Sequence, residues 1–116
     1  MYPPVARETV KRRKALAPVS DAAFEDFGRA VFGNGALDVR TKQLLAVAVA
    51  HAMQCPYRIR AHAKAARRAG ASDSEIMEAV WVAAEVAAGA AMSHAALAFD
   101  ELDAEADRAD ATSGAT

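Results

Sequence analysis

A single cysteine stands in 116 residues, so no internal disulfide can form and a reducing, cytoplasmic setting fits the chain. Neither sign of charge dominates. The formal net charge is -1 with charged residues at 25 %, which leaves no electrostatic footprint for a nucleic acid or an anionic membrane, and neither is expected as a partner. The first residues, "MYPPVARETVKRRK", are charged early and lack the apolar segment of a signal peptide. No later stretch is both long enough and free enough of charge to span a bilayer convincingly. Also lacking is any strand-length run in which Val, Ile, Tyr or Phe alternates with polar residues, and this excludes a sheet protein.

What the chain has in abundance is alanine, at 32 of 116 residues. Alanine is the strongest helix former, so the expected class is all-α, a bundle of about six helices. Small side chains let helices approach closely but each buries little area, so the core is weak and self-association would offset that weakness. The chain is long enough for one domain, expected over residues 1–107, with a polar, disordered tail over 108–116.

Local signals mark the helices. "PPVARETVKRRKAL" forms a short basic helix, and "SDAAFEDFGRAVFG" a second with Phe24, Phe27, Ala30 and Val31 at helical spacing. Asp38 caps a third, "VRTKQLLAVAVAHAMQ", which is apolar on most sides and therefore central. Pro56 opens a fourth that closes on Gly70, and "SDSE" at 72–75 is a capping box opening a fifth. Beyond Gly89 the pattern continues as a sixth helix or a kinked extension of the fifth.

The lone thiol, Cys55, falls just before Pro56, at the start of the fourth helix. Helix starts favour thiolates through unpaired amides and the helix dipole. A step of about 100° per residue puts positions 55, 58, 59 and 62 on one stripe, so Cys55, Arg58, Ile59 and His62 are expected to share a face. Gln43, Val47 and His51, one turn apart on the preceding helix, lead toward the same corner. The three histidines, His51, His62 and His94, match no zinc spacing, and no metal or cofactor is expected. Glu75, Glu78 and Glu85 read as a polar face or intersubunit ion pairs, and Trp81 as a core or interface anchor.

The stretch from "RTKQLLAVAVAHAMQCPYRIRAH" through "AGASDSEIMEAVWVAAEVAAGAAMSHA" resembles the carboxymuconolactone decarboxylase and alkylhydroperoxidase D superfamily. The likeness rests on the "TKQLLAVAVA" helix, the Cys-Pro-Tyr corner, a histidine seven residues after the cysteine, and "AGAS" before an acidic helix start. It implies the helical fold of that superfamily, assembly into trimers or hexamers, and, in the peroxidase-like branch, a relay of glutamate, two cysteines spaced Cys-x-x-Cys, and histidine. Cys55 and His62 match that relay, whereas Arg58 stands in place of the second cysteine and Gln43 in place of the glutamate. Arginine cannot resolve a mixed disulfide, and glutamine cannot pass a proton near neutral pH.

Three functions are consistent with these residues. One is a one-cysteine peroxidase or thiol oxidoreductase, with Cys55 and His62 catalytic, Gln43, His51 and Arg58 lining the site, and an external thiol as reductant. Another, from the decarboxylase branch, holds the carboxylate of a small lactone acid on Arg58 or Arg60 and protonates carbon from His62. The third is a non-catalytic family member kept for assembly or ligand binding.

Overall fold

The computed structural model describes Tyr2 and residues 7–114, with side chains through residue 112. Among the described residues there are five helices and no strand: α1 (Arg7–Leu16), α2 (Pro18–Phe32), α3 (Val39–Ala52), α4 (Pro56–Arg68) and α5 (Asp73–Gly114). The expected class is thus all-α as observed, with five helices in place of about six. Gly89 does not interrupt α5. A single glycine costs a helix only about 1 kcal/mol, and the alanines around it offer no competing cap or turn. The prolines placed at the start of the first helix lie outside the described residues.

Two compact units divide the chain, Met1–Ala83 and Ala84–Thr116, where one domain over 1–107 is expected from sequence. Residues 108–114 are helical rather than a disordered tail, and 115–116 lie outside the described residues. The helix is held there by its own side chains. Arg108 reaches Glu101 at 3.1 Å and Glu105 at 2.6 Å, and the Thr112 hydroxyl donates to the Arg108 carbonyl at 2.9 Å. In the second unit every described side chain is exposed except the half-buried Ala95 and Ala104.

The first unit is centred on α3 and α4, which pack against each other, with α2 on α3 and α1 on α2. Its core is small, as the alanine content implies. Val47, Ala66 and Ala71 are buried, and Leu44, Ile76, Ala79 and Val80 pack around them. The starts of α3 and α5 follow their local chemistry. Asp38 Oδ1 accepts from the Thr41 amide at 2.8 Å. Ser72 and Glu75 form the reciprocal box, with the Glu75 amide donating to the Ser72 hydroxyl at 3.1 Å and the Ser72 amide to the Glu75 carboxylate at 2.9 Å. Glu75 also pairs with Arg40 at 3.0 Å, tying α3 to the start of α5.

Two helix ends share one geometry. At the end of α4, Gly70 has φ +97°; its amide donates to the Arg67 carbonyl at 3.0 Å, and the Ala71 amide reaches back to Ala66 at 2.9 Å. This is a Schellman closure. The end of α3 repeats it with glutamine in the glycine position. Gln54 has φ 55°, its amide donates to the His51 carbonyl at 3.1 Å, and the Cys55 amide to Ala50 at 3.1 Å. A non-glycine residue in this left-handed region costs about 1–2 kcal/mol. The strained residue immediately precedes the thiol.

Candidate active site

The corner between α3 and α4 positions the thiol. Cys55 is the N-cap of α4 in extended conformation, its side chain makes no capping bond, and Pro56 takes the first helical position. The amide of Cys55 is spent on Ala50, and its carbonyl accepts from Ile59 at 2.9 Å. The sulfur is therefore not needed to hold the corner together. It is half-buried on the wall of an open cavity of about 620 Å³ lined by α2, α3 and the first half of α4.

Arg58 and His62 lie on the same wall, so three members of the expected stripe come together. The fourth does not. Ile59 turns to a separate groove on the other side of α4, lined by Ile76, Met77 and Val80 of α5. His51 also faces that groove, and its Nδ1–H donates to the Val47 carbonyl at 2.8 Å. A residue four positions before the corner shares the corner's sequence neighbourhood, yet the turn of α3 carries it to the opposite face. Arg60 is exposed and lies off the cavity wall.

Gln43 meets His62 directly. It is buried at 9 % exposure, and His62 Nδ1 donates to its Oε1 at 2.8 Å. With Nδ1 carrying the proton, Nε2 is left with a free lone pair. The imidazole also stacks on Phe32, with centroids 5.2 Å apart and planes 28° from parallel. Burial, and after it the charge of Arg58, lower the pKa of His62 from its ordinary 6.5. The ring is consequently neutral at pH 7 and able to take a proton.

That shift has a consequence for stability. As pH falls below about 6.5, the unfolded chain takes up a proton on this histidine that the folded ring accepts only at lower pH. The stability contribution is complete above that value and is lost as pH drops through the folded pKa. Thermal melts at about pH 7.5 and about pH 5.5 are expected to show a loss on acidification that His62→Gln reduces. An equal loss in the variant would remove His62 as its source.

Several residues of the site carry no chemical motif in the sequence. Phe24 and Phe27 are spaced as an amphipathic face, and here they form one wall of the cavity. Arg58 sits over Phe24, its Cζ 5.9 Å from the ring centroid. Lys42 donates from Nζ to the Val31 carbonyl at 2.8 Å and the Gly33 carbonyl at 2.6 Å, closing the C-terminus of α2 with a cation, where the helix dipole favours one. No sequence signal marks the Phe32–His62 stack, because the two residues are thirty apart. Among the described residues no three of His, Cys, Asp and Glu gather as a metal site.

Comparison with known proteins agrees on the fold. The sequence profile described as "Carboxymuconolactone decarboxylase family" matches residues 18–101. The chain is 59 % identical over 83 residues to "Uncharacterized protein 4 in cox locus" of Paracoccus denitrificans, covering 72 % of this chain and 75 % of that protein. A crystal structure of a protein from Methanobacterium thermoautotrophicum superposes with a TM-score of 0.69 at 38 % identity, covering 73 % of this chain and 96 % of the other. A carboxymuconolactone decarboxylase family protein from Legionella pneumophila superposes with a TM-score of 0.65 at 29 % identity, covering 68 % and 70 % of the two chains.

Proposed function

The chain belongs to the carboxymuconolactone decarboxylase family, and from that membership we propose that it is a one-cysteine thiol peroxidase acting at Cys55. The observation that carries this reading is the shared wall: Cys55, Arg58 and His62 line one cavity, with His62 neutral and held by Gln43. Nε2 of His62, two turns along α4 from the thiol, takes its proton through a water in the cavity, and the sulfur attacks the terminal oxygen of a hydroperoxide. The S–O bond forms as the O–O bond breaks. Arg58 steadies the departing alkoxide, which takes the proton back from His62 and leaves as the alcohol. One external thiol then displaces water from the sulfenic acid to give a mixed disulfide, and a second releases Cys55 with formation of the thiol's own disulfide.

Decarboxylation of a small lactone acid finds less support. Of its two candidate cations Arg60 lies off the cavity and only Arg58 lines it, and that reaction gives the Cys55 thiol on the same wall no role. The thiol reading is tested by hydrogen peroxide with dimedone trapping. Cys55 is expected to be trapped at least about tenfold faster than free glutathione, and His62→Gln to slow trapping by roughly 10²-fold, the usual range for a lost general base. If Cys55 reacts no faster than glutathione, the non-catalytic reading stands instead.

Assembly belongs to the same proposal. Trp81 is 65 % exposed and Val82 59 %, and in the second unit Val86, Met92, Leu97, Phe99 and Leu102 are all exposed. Isolated chains rarely leave so many large apolar residues uncovered. By length and composition the segment Asp73–Thr112 would also suffice to cross a membrane. Glu85, inside its most apolar stretch, argues against that, since a charged residue near the centre of a spanning segment costs about 2.5 kcal/mol or more. A soluble, cytoplasmic homo-oligomer, a trimer or hexamer, covers the same surface without that cost. Light scattering on the purified protein without detergent is expected to give a multiple of 12.2 kDa. A stable monomer at micromolar concentration would remove the assembly proposal.

A further inference from the structure

We propose that the cavity beside Cys55 is a binding site for an amphiphilic monocarboxylate, with the apolar body between α2 and α3 and the carboxylate on Arg58. The site is the one used by the thiol chemistry proposed above, but the inference needs nothing from the sulfur. Two observations select this ligand class, one for each end of the molecule.

The interior is apolar. Phe27, Val31, Leu45 and Val49 form its walls, and its volume of about 620 Å³ lies in the range of small-molecule sites. Phe27 at 63 %, Leu45 at 51 % and Val49 at 55 % exposure present surface that gains by being covered, and each methylene that covers it adds about 0.8 kcal/mol, close to a fourfold gain in affinity.

The rim supplies one cation and no anion. No aspartate or glutamate lines the cavity. Of its two basic residues, Lys42 is bound to the Val31 and Gly33 carbonyls, whereas Arg58 joins no ion pair with any described carboxylate. Its guanidinium is held over the face of Phe24, a contact that positions the group and leaves its N–H edge for a planar, two-oxygen acceptor. A dianion would leave its second charge on an apolar wall, and a neutral ligand would leave the guanidinium unused. A single carboxylate on an apolar body satisfies both ends.

The test is calorimetric titration of the full-length protein with hexanoate, octanoate and decanoate below their micelle concentrations, with 1-octanol and octyltrimethylammonium as head-group controls. Affinity is expected to rise about threefold to fourfold per added methylene. Octanoate should bind about tenfold tighter than octanol, the gain of a charge-assisted bond at a partly exposed site. Arg58→Gln should erase that difference while leaving octanol binding within about twofold, and Arg58→Lys should keep part of it. The inference is overturned by an absence of saturable binding, as when a second copy of the chain covers the cavity, by equal affinity for all three head groups, or by octanoate binding that Arg58→Gln leaves unchanged. The two proposals fail separately. Octanoate binding with a Cys55 inert to peroxide ends the peroxidase reading alone, whereas a peroxide-reactive Cys55 without octanoate binding ends the ligand inference alone.

Discussion

Arg58→Cys is expected to form an intramolecular disulfide with Cys55 under mild oxidation, and Arg58→Cys combined with Gln43→Glu to turn over disulfides or peroxides with a dithiol donor. Residue 55 is the N-cap of α4 and residue 58 lies three positions on, on the same cavity wall. Positions so spaced on a helix are on the order of 5–6 Å apart, inside the range a disulfide spans. Gln43 already contacts His62 at 2.8 Å, so the introduced carboxylate would stand against the imidazole and draw a proton onto it. Each change alone should do little for turnover. The single cysteine variant closes a disulfide whose departing thiolate has only His62 to draw on, with no carboxylate behind the imidazole to resupply its proton, and Gln43→Glu alone has no second sulfur to serve. Together the gain should exceed the product of the separate effects, because the residues act as one unit. Mass spectrometry of the oxidised Arg58→Cys protein reads the pairing, and a dithiol-coupled assay reads turnover. Cysteines that never pair in a folded variant would contradict the geometry at the start of α4; pairing without turnover in the double variant would show that the cavity has diverged from relay chemistry.

Val47→Asp is expected to leave the protein largely unfolded at 25 °C, while Val49→Asp, two residues on in the same helix, stays folded. Val47 is fully buried and stands in the cluster with Ala66 and Ala71. The carboxylate would be buried among these apolar side chains, at a cost of about 4 kcal/mol or more. Domains of this size hold only about 5–15 kcal/mol in total, and an alanine-rich core sits at the low end. Val49 is 55 % exposed on the cavity wall, where the new charge stays hydrated and costs within about 1 kcal/mol. Circular dichroism melts of the two variants under one condition measure the contrast. Equal destabilisation would mean that α3 does not divide its faces between core and cavity in this way.

The helix boundaries were legible because they are written in local chemistry. Asp38 caps the third helix, Pro56 opens the fourth, Gly70 closes it, and Ser72 with Glu75 opens the fifth. The closure at Gln54 was not legible. It uses the same geometry as Gly70 with a residue that carries no turn signal, and only the packing of α4 against α3 makes the left-handed conformation tolerable. Helical periodicity placed Cys55, Arg58 and His62 on one wall correctly but assigned Ile59 to it as well. A stripe about 100° wide says which residues are neighbours, and the adjoining helices decide which side of the stripe each one serves. His51 illustrates the same limit. Its spacing leads to the corner, yet its ring turns back to a carbonyl of its own helix.

By itself the sequence determined the all-α class, the starts of the third, fourth and fifth helices, the family, and the identity of the lone thiol with its histidine. These follow from propensity, capping and spacing, which act over a few residues. Only the tertiary structure decided that Gln43 bonds to His62, that Phe32 stacks on the same ring, and that Lys42 is consumed while Arg58 pairs with no described carboxylate. Each of these joins residues on different helices, so each depends on how α2, α3 and α4 pack, and small alanine side chains leave little in the local sequence to specify that packing. The length of α5 was decided at the same level. The alanine run permits one helix through Gly89 or two on either side of it, and the continuous backbone hydrogen bonding of the folded chain selects one.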